Sequence, residues 1–244
     1  MNEENKTALV TGANKGIGFE VTRQLARNGL TVFLGARDAG RGEAAAKVLA
    51  ADGLDVRPVV LDLGRPETIR AAAEVIGCAF QRLDILVNNA GVNDPDDGAP
   101  GEVDLDALRR VFETNFFGTV LVTQIMLPLI RKSAAGRIVN VSSGLGSLIG
   151  MSAAEGVSSD FSQLFGYSSS KAALNMFTVQ LARELKGAGI LVNSAAPGFT
   201  ATDLNNFRGH QTVEEGAHVP VQLALLADDG PTGGYFDKNG VKAW

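Results

Sequence analysis

Tyr167 and Lys171 lie four positions apart in the stretch FGYSSSKAAL, whose pattern is typical of an amphipathic helix. Residues at this spacing share one helix face, so the phenol and the ammonium are predicted to be neighbours. A phenol with its ordinary pKa of about 10 exchanges protons poorly at neutral pH, and a nearby cation is expected to lower that pKa. The pair could therefore donate a proton. Taken alone, the spacing favours an ordinary surface pair.

A pair of serines, Ser142 and Ser143, follows the apolar segment RIVNV, which is predicted to be a buried strand. A hydroxyl at a strand end could hold a substrate oxygen while negative charge develops on it. Hydride transfer to a carbonyl needs such a group together with a proton donor at the oxygen. The residues therefore favour reduction of a carbonyl compound, or oxidation of an alcohol in reverse. No metal is expected in this chemistry.

A glycine-rich stretch, TGANKGIG, lies between the first predicted strand and the first predicted helix. Glycines permit a sharp turn and a close approach to a ligand, and the helix N-terminus attracts phosphate. This is the position that a dinucleotide-binding turn requires, although glycines can also serve a turn that binds nothing. The candidate cofactor residues in it are Gly12, Asn14, Lys15, Gly16, Ile17 and Gly18.

The end of the second predicted strand indicates which dinucleotide binds. An acidic residue there would bind the ribose hydroxyls of NAD, but this chain has Arg37 at about that point and Lys15 in the glycine turn. Two cations favour the 2′-phosphate of NADP(H) over NAD(H). Asp38 follows directly, so a register shift of one residue would weaken this prediction.

Two further strand ends supply candidate adenosine contacts. Asp62 could accept a hydrogen bond from the adenine amino group or could cap the strand end, and Leu63 follows it. The sequence NNAG ends the fourth predicted strand, where the carboxyl ends of parallel strands line a crevice. It could pack against adenosine or form a tight turn, and its residues are Asn88, Asn89, Ala90 and Gly91.

Apolar segments and helix-like segments alternate along the chain, which predicts an α/β fold of the Rossmann type. We expect one doubly wound parallel sheet of about seven strands, in the order 3-2-1-4-5-6-7, with helices on both faces. The predicted strands are 7–11, 30–36, 56–63, 84–90, 137–143, 190–196 and 233–237. The predicted helices are 16–28, 41–51, 66–81, 104–132 and 166–187.

Residues 1–244 are predicted to form a single domain, because no flexible linker or repeat interrupts the pattern. Three segments have loop composition: 93–101, a long insertion at about 144–166, and a lid at about 199–215. Long loops in compact domains are usually functional. The insertion carries both apolar and acidic side chains, which are Met151, Phe161, Leu164, Phe165, Glu155 and Asp160.

Composition excludes several function classes. The net charge of −5 argues against nucleic acid as a partner. The N-terminus lacks a signal-peptide core, and no apolar run reaches the roughly 20 residues of a membrane span, so we expect a cytoplasmic protein. Cys78 is predicted to be buried on a helix, and His210 and His218 to lie at the surface. Trp244 should pack on the last strand or on the substrate rim.

With these motifs in view, the sequence resembles the short-chain dehydrogenase/reductase family, and most closely its carbonyl-reductase-like branch. The matching motifs are TGANKGIG, NNAG, NFFG, GRIVNVSS, YSSSK and PGFTAT, in family order, and they span residues 11–202. ARDAGRG and the tail DDGPTGGYFDKNG are similar to the branch. The resemblance implies an NADP(H)-dependent enzyme that acts on a small-molecule carbonyl or alcohol.

The resemblance also implies residue roles. Tyr167 would be the acid/base, Lys171 its partner and ribose ligand, and Ser143 the residue that orients the substrate carbonyl. Asn115 would complete a tetrad and link Lys171 to water. The segment that contacts the nicotinamide would include Pro197, Gly198, Phe199, Thr200 and Thr202.

The long segment between Ser143 and Tyr167 departs from the compact pattern of the family. It could form an apolar wall of the substrate pocket or an ordinary surface loop. In the family, such insertions obstruct the helix interface of dimers and tetramers, so monomer and homo-oligomer both stay open. The alternative function is a non-catalytic NADP(H)-binding sensor or scaffold, although this chain keeps all four catalytic candidates. A nucleotide-sugar epimerase would need a larger C-terminal part, and an enoyl reductase a wider tyrosine–lysine spacing.

Overall fold

The fold is built on one eight-stranded sheet. The computed structural model describes residues 6–153 and 163–244. Their strand order is β3-β2-β1-β4-β5-β6-β7-β8, and every pairing is parallel except that of β8 with β7. The strands are β1 Thr7–Val10, β2 Thr31–Ala36, β3 Val56–Val60, β4 Ile85–Asn88, β5 Arg137–Val141, β6 Leu191–Ala195, β7 Tyr235–Asp237 and β8 Gly240–Val241. The predicted order of seven parallel strands is confirmed, and β8 is an addition to it.

Helices cover both faces of the sheet. They are α1 Gly16–Arg27, α2 Ala39–Ala51, α3 Pro66–Phe80, α4 Leu105–Phe112, α5 Thr119–Ile130, α6 Leu148–Ser152, α7 Phe165–Glu184 and α8 Val213–Ala224. Successive strand residues point to opposite faces, so Val10 belongs to the core under α1 and α8, while Leu9 belongs to the core under α3, α5 and α7. Every residue of β1, β2, β4, β5 and β6 is buried, as strands covered on both faces must be.

Three helical features differ from the sequence prediction. The predicted helix 104–132 consists of α4, a π-helical segment at Glu113–Gly118, and α5. Helix α6 lies within the predicted long loop, and α8 occupies the end of the predicted lid. Helix α8 was missed because Gly216 and Pro220 disturb its pattern, yet Thr212 and Glu215 form a capping box at its start.

The continuous helical stretch Leu105–Ile130 is long and apolar enough to cross a membrane, by length and composition alone. Core helices of globular domains pass the same test. Here Val111, Val122 and Met126 are fully buried, and α5 packs on α3 while α4 packs on α7. We interpret this stretch as a core helix of the domain.

The predictions for single residues outside the motifs are confirmed in part. Cys78 lies on α3 as predicted, but its side chain is exposed, so the prediction of a buried cysteine is wrong. The period of α3 points Ile69, Ala72 and Ile76 inwards and leaves Cys78 on the opposite face. His210 and His218 are exposed, as predicted. Trp244 stacks on Tyr235 of β7, with ring centroids 5.4 Å apart.

The sheet brings the candidate site residues to one edge. Strand β1 pairs with β2 on one side and with β4 on the other, so the winding direction reverses between β1 and β4. In sheets of this type, ligands bind at the carboxyl ends of the strands beside that reversal. The glycine turn, Arg37, NNAG and Ser143 all follow the carboxyl ends of strands in this sheet.

Candidate active site

The glycine turn packs directly against the NNAG segment. Gly12 has a φ of +62°, and a Cβ there would lie 2.9 Å from the Cα of Ala90. A Cβ on Gly18 would collide with the amide of Asn89 and with the Gly12 carbonyl. The Asn89 side chain donates hydrogen bonds to the Thr11 and Gly12 carbonyls. The turn therefore needs glycine at both positions, and Asn89 holds it in place.

The first turn of α1 has free backbone N–H groups, as the start of any helix does. The N-cap residue is Lys15, and within the described chain its side chain makes no capping hydrogen bond. Such an end is suited to an anionic ligand. Lys15 itself lies at the surface and forms an ion pair of 3.2 Å with Asp203. Asn14 and Ile17 flank this turn and are half-buried.

The residues predicted at the adenosine end occupy different environments. Arg37 is exposed directly after β2, whereas the Asp38 carboxylate accepts a hydrogen bond from the Arg41 N–H and caps α2. Asp38 is thus engaged in the helix cap, whereas the Arg37 side chain stays exposed. Asp62 accepts a hydrogen bond from the Gly64 N–H, as in the strand-end alternative. Leu63 is 7% exposed and packs against the position of Gly118.

Asn88 needs a correction. Its side chain is buried, and its amide donates hydrogen bonds to Thr123 and Asn140 inside the protein, so it does not face adenosine. The reason is strand register. Asn88 pairs with Asn140, Asn140 with Ser194, and Ser194 with Tyr235, which places all four on one face of the sheet. Together they form a buried polar row under α5 and α7.

Ser143 and Tyr167 meet at the carboxyl edge of the sheet. Ser143 lies two residues beyond β5, and its Oγ accepts a hydrogen bond from the Leu145 N–H. Its side chain lies beside that of Tyr167 and favours the ionised phenol, which acts to lower the pKa of Tyr167. Ser142, in contrast, is 2% exposed and buried behind it. The second serine of the pair is thus the one beside the tyrosine, as predicted.

The direction of the tyrosine pKa differs from the prediction. Burial raises the pKa of Tyr167 above its ordinary value, because a phenolate would be poorly solvated there, and the Ser143 side chain opposes that rise. The Lys171 Nζ lies 5.6 Å from the centre of the Tyr167 ring. The two residues do share a helix face, but the expectation of a lowered phenol pKa is wrong, because burial is the largest influence on that pKa.

Lys171 is 3% exposed, and its ammonium donates a hydrogen bond of 2.8 Å to the Val141 carbonyl. Burial lowers the pKa of Lys171 to about 8, because the charged form loses hydration. A Cβ on Gly91 would lie 3.4 Å from the Lys171 Nζ and 3.4 Å from the Asn115 Oδ1. The end of NNAG thus contacts two of the four catalytic candidates.

Asn115 lies in the π-helical segment, which widens the helix and interrupts its regular hydrogen bonding. Its side chain accepts from the Val92 N–H and donates to the Val92 carbonyl and the Ser170 hydroxyl. These bonds use both amide hydrogens, so the Asn115 side chain has no N–H left to donate to water. The side chain instead fixes the strand end of β4 to α7.

The predicted nicotinamide segment follows β6. Gly198 has a φ of +82°, and a Cβ there would collide with the Gln211 side chain, so position 198 requires glycine. Phe199 and Thr202 lie on either side of Thr200, which is 3% exposed and packs against Gly216 of α8. A Cβ on Gly16 would lie 3.5 Å from the methyl group of Thr202. Pro197 is half-buried at the start of this loop.

Two residues of the site were missed by sequence reasoning. Asp97 of loop 93–101 accepts hydrogen bonds from the backbone N–H groups of Gly166 and Tyr167 and thereby caps α7. Tyr235 donates a hydrogen bond to the Ser143 carbonyl. Asp97 gave no signal, because it is one of several acids in a turn-rich loop. The scarcity of tyrosine, two in 244 residues, was a signal for Tyr235.

Comparison with known proteins decides the family. The profile described as short chain dehydrogenase matches residues 6–212. The chain belongs to the short-chain dehydrogenase family. As a member of this family it is an oxidoreductase, and the family resemblance of its motifs is confirmed.

Individual relatives of this short-chain dehydrogenase cover nearly all of it. The short-chain dehydrogenase anuI of Penicillium roqueforti is 41% identical over 221 residues, which are 88% of this chain and 87% of that protein. NADPH carbonyl reductase 3 of Rattus norvegicus is 37% identical over 286 aligned positions, covering 100% of both chains. Among solved structures, an NADPH-bound carbonyl reductase from chicken fatty liver has a TM-score of 0.86 and 28% identity, covering 99% of this chain and 100% of that one.

Proposed function

We propose that this protein is a carbonyl reductase that reduces an aldehyde or ketone to an alcohol, with Tyr167 as the proton donor. The observation that carries the proposal is the convergence of Ser143, just beyond β5, with Tyr167 and Lys171 of α7, whose buried ammonium lies 5.6 Å from the centre of the Tyr167 ring. The chain would act as a single domain. Its substrate is a small molecule, in keeping with its enzyme relatives.

The cofactor is NADP(H), as predicted, and it supplies the hydride when bound. The residues present fit this group. A Cβ would fill the cradle at Gly12 and Gly18, and the N-terminus of α1 is suited to phosphate. Arg37 would bind the 2′-phosphate, because it is exposed beside the crevice while Asp38 is held as a helix cap. Lys15 would contribute a second positive charge.

The chain's own residues would handle the proton. Ser143 Oγ would hold the carbonyl oxygen, and Tyr167 would donate its phenolic proton to that oxygen as charge develops. The raised pKa keeps Tyr167 protonated at neutral pH, so the proton is present for reduction, and the Ser143 hydroxyl opposes the rise that makes the phenol a weaker acid. Lys171 would hold the nicotinamide ribose, and its ammonium is held in place by the Val141 carbonyl.

The substrate mouth would be apolar. Leu148 and Ile149, just beyond Ser143, are 73% and 62% exposed, and Phe207 in the segment after β6 is 65% exposed. We infer a preference for carbonyl compounds with hydrophobic bodies. Of the side chains predicted for this wall, Glu155, Asp160 and Phe161 lie outside the described residues, while Met151, Leu164 and Phe165 are half-buried.

The decisive experiment is the variant Tyr167→Phe, which removes one hydroxyl and keeps the ring. We expect NADPH oxidation with a panel of aldehydes and ketones to fall by about 100-fold or more, because no group is left to protonate the oxygen. NADPH binding, measured by fluorescence titration, should stay within about twofold. Near-normal turnover in this variant would contradict the mechanism. Wild-type protein that binds NADPH but reduces no carbonyl would favour the sensor alternative.

A further inference from the structure

Tyr235 connects β7, the strand next to the outermost strand β8, to the proposed catalytic serine, Ser143. It begins β7, is fully buried, and its hydroxyl donates a hydrogen bond of 2.7 Å to the Ser143 carbonyl. Strand β7 pairs with only two residues of β6, Ser194 and Ala195. Strand β7 is paired on its other side with β8, and the side-chain contacts of Tyr235 add to this backbone bonding.

The chain beyond β7 reinforces this contact. The Trp244 ring stacks on Tyr235 at an interplanar angle of 16°. The Trp244 carbonyl accepts a hydrogen bond of 3.0 Å from the Ile149 N–H, and the Ala243 carbonyl accepts one of 2.9 Å from the Ser147 hydroxyl. Residues 235–244 are therefore fastened to the segment that begins at Ser143. We call this set of contacts the C-terminal clasp.

The Ser143 carbonyl is the point where the clasp acts on the site. It accepts hydrogen bonds from the Tyr235 hydroxyl and from the Gly146 N–H. The second of these bonds closes the turn at Gly144–Gly146. That turn brings the Leu145 N–H to the Ser143 Oγ. Fixing the carbonyl therefore fixes the donor that orients the serine hydroxyl, and with it the hydroxyl that meets Tyr167.

We propose that Tyr235 is a positioning residue of the reaction, whose hydroxyl holds Ser143 in the orientation that serves Tyr167. The proposal rests on the function proposed above. It gives the C-terminal clasp a role in the rate of the chemical step. Neither the short-chain dehydrogenase motifs nor the spacing of Tyr167 and Lys171 on α7 implies such a role.

The ionisation of Tyr235 supports this role. Burial raises its pKa, and the nearby acidic groups Asp237 and Tyr167 raise it further. The hydroxyl therefore stays protonated, and stays a donor, across the pH range in which the enzyme would work.

The test is Tyr235→Phe, which deletes the donor and keeps the ring that Trp244 covers. We expect kcat for ketone reduction to fall about five- to tenfold, with the NADPH Kd within about twofold. The alkaline limb of ketone reduction, which needs protonated Tyr167, should move up by about half a pH unit, because a displaced Ser143 opposes the raised Tyr167 pKa less well. Wild-type kcat together with an unmoved pH limb would overturn the proposal.

Two further variants separate positioning from simple loss of stability. Ser133→Ala removes a buried hydroxyl that donates to Asp84, directly before the amino end of β4 and so at the far end of the strands from Ser143. It should lower the melting temperature and leave kcat and the pH limb unchanged. Trp244→Leu should lower kcat in the same direction as Tyr235→Phe, because it loosens the ring without removing the hydroxyl. If Ser133→Ala moves the pH limb equally, the effect is structural and the proposal fails.

The same data distinguish the two proposals. If Tyr167→Phe retains turnover, the proposed function fails regardless of Tyr235. If Tyr167→Phe abolishes turnover while Tyr235→Phe behaves as wild type, only the positioning role fails.

Discussion

Burying the Lys171 ammonium costs the folded protein stability. An ammonium that is 3% exposed and bonded to one carbonyl is poorly solvated, so its pKa falls to about 8. A difference of one pKa unit corresponds to about 1.4 kcal/mol between the two protonation states. The protein therefore gives up stability at neutral pH to keep a cation beside Tyr167.

This cost has a defined pH dependence. The folded pKa of Lys171 lies below the unfolded value near 10.4, so the unfolded state binds more protons between the two, and stability rises with pH in that window. We expect the unfolding free energy of wild type to gain about 2 kcal/mol relative to Lys171→Met between pH 7.5 and pH 9.5. Urea unfolding at several pH values measures it. The variant has the same tyrosines, so their titration cancels, and a pH-independent difference would refute the assignment.

Arg37 is an exposed cation directly after β2, where the proposal places the 2′-phosphate of NADP(H). Replacing its exposed guanidinium with a carboxylate should repel the 2′-phosphate and offer an acceptor to ribose hydroxyls. We expect Arg37→Asp to lower the ratio of kcat/KM for NADPH to that for NADH by about 10-fold or more. Arg41→Asp, on the neighbouring helix α2, is the matched control. Equal ratios in wild type and Arg37→Asp would remove Arg37 from the phosphate site.

At the scale of elements, α7 carries Tyr167 and Lys171 but begins without a cap from its own sequence. Leu164 is its N-cap residue and makes no side-chain capping bond within the described chain. Asp97 supplies the cap instead, with its two oxygens at 2.8 and 2.9 Å from the N–H groups of Gly166 and Tyr167. The backbone of Tyr167 is thus held by a loop that precedes it by about 70 residues.

Removing this cap should affect both stability and catalysis. We expect Asp97→Ala to cost about 1 kcal/mol of unfolding free energy and to lower kcat several-fold, because the first turn of α7 loosens around Tyr167. Asp104→Ala is the control, since Asp104 caps α4 through the N–H groups of Asp106 and Ala107. It should cost a similar free energy and leave kcat unchanged. Equal kcat in the two variants would contradict the link between Asp97 and the site.

Across the whole molecule, one ion pair joins the glycine turn to the segment that follows β6. Lys15, between β1 and α1, lies 3.2 Å from Asp203, which follows β6. Both side chains are about half exposed, so the pair contributes little to stability, on the order of 0.5 kcal/mol. It does, however, join the two segments that flank the crevice and it engages a cation that NADP(H) would use.

We therefore expect Asp203→Asn to strengthen NADPH binding by about two- to fivefold at low salt, because Lys15 becomes free for the 2′-phosphate. NADH binding should not change, since NADH lacks that phosphate. Asp237→Asn, which breaks a comparable pair with Lys242, controls for the change in net charge. Fluorescence titrations with both cofactors give the comparison. A parallel change in NADPH and NADH affinity would count against competition for Lys15.

Much of this molecule is determined by its sequence alone. The alternation of buried strands with helices determines the doubly wound sheet, and glycine at positions 12 and 18 determines the turn, because local sterics and periodicity depend on near neighbours. The same holds for the shared face of Tyr167 and Lys171, which needs only helical geometry. Even the missed helix α8 carries its signal in the Thr212–Glu215 capping box.

Other features were decided by the tertiary structure. Strand register turned Asn88 inwards, a π-helical segment directed Asn115 towards Val92 and Ser170, and burial reversed the expected pKa direction of Tyr167. Each depends on groups distant in sequence, and the free energy of a charge or hydrogen bond depends on the solvation that those groups leave. A sequence shows which residues can do chemistry, but only the packed fold decides how each of them is solvated and held.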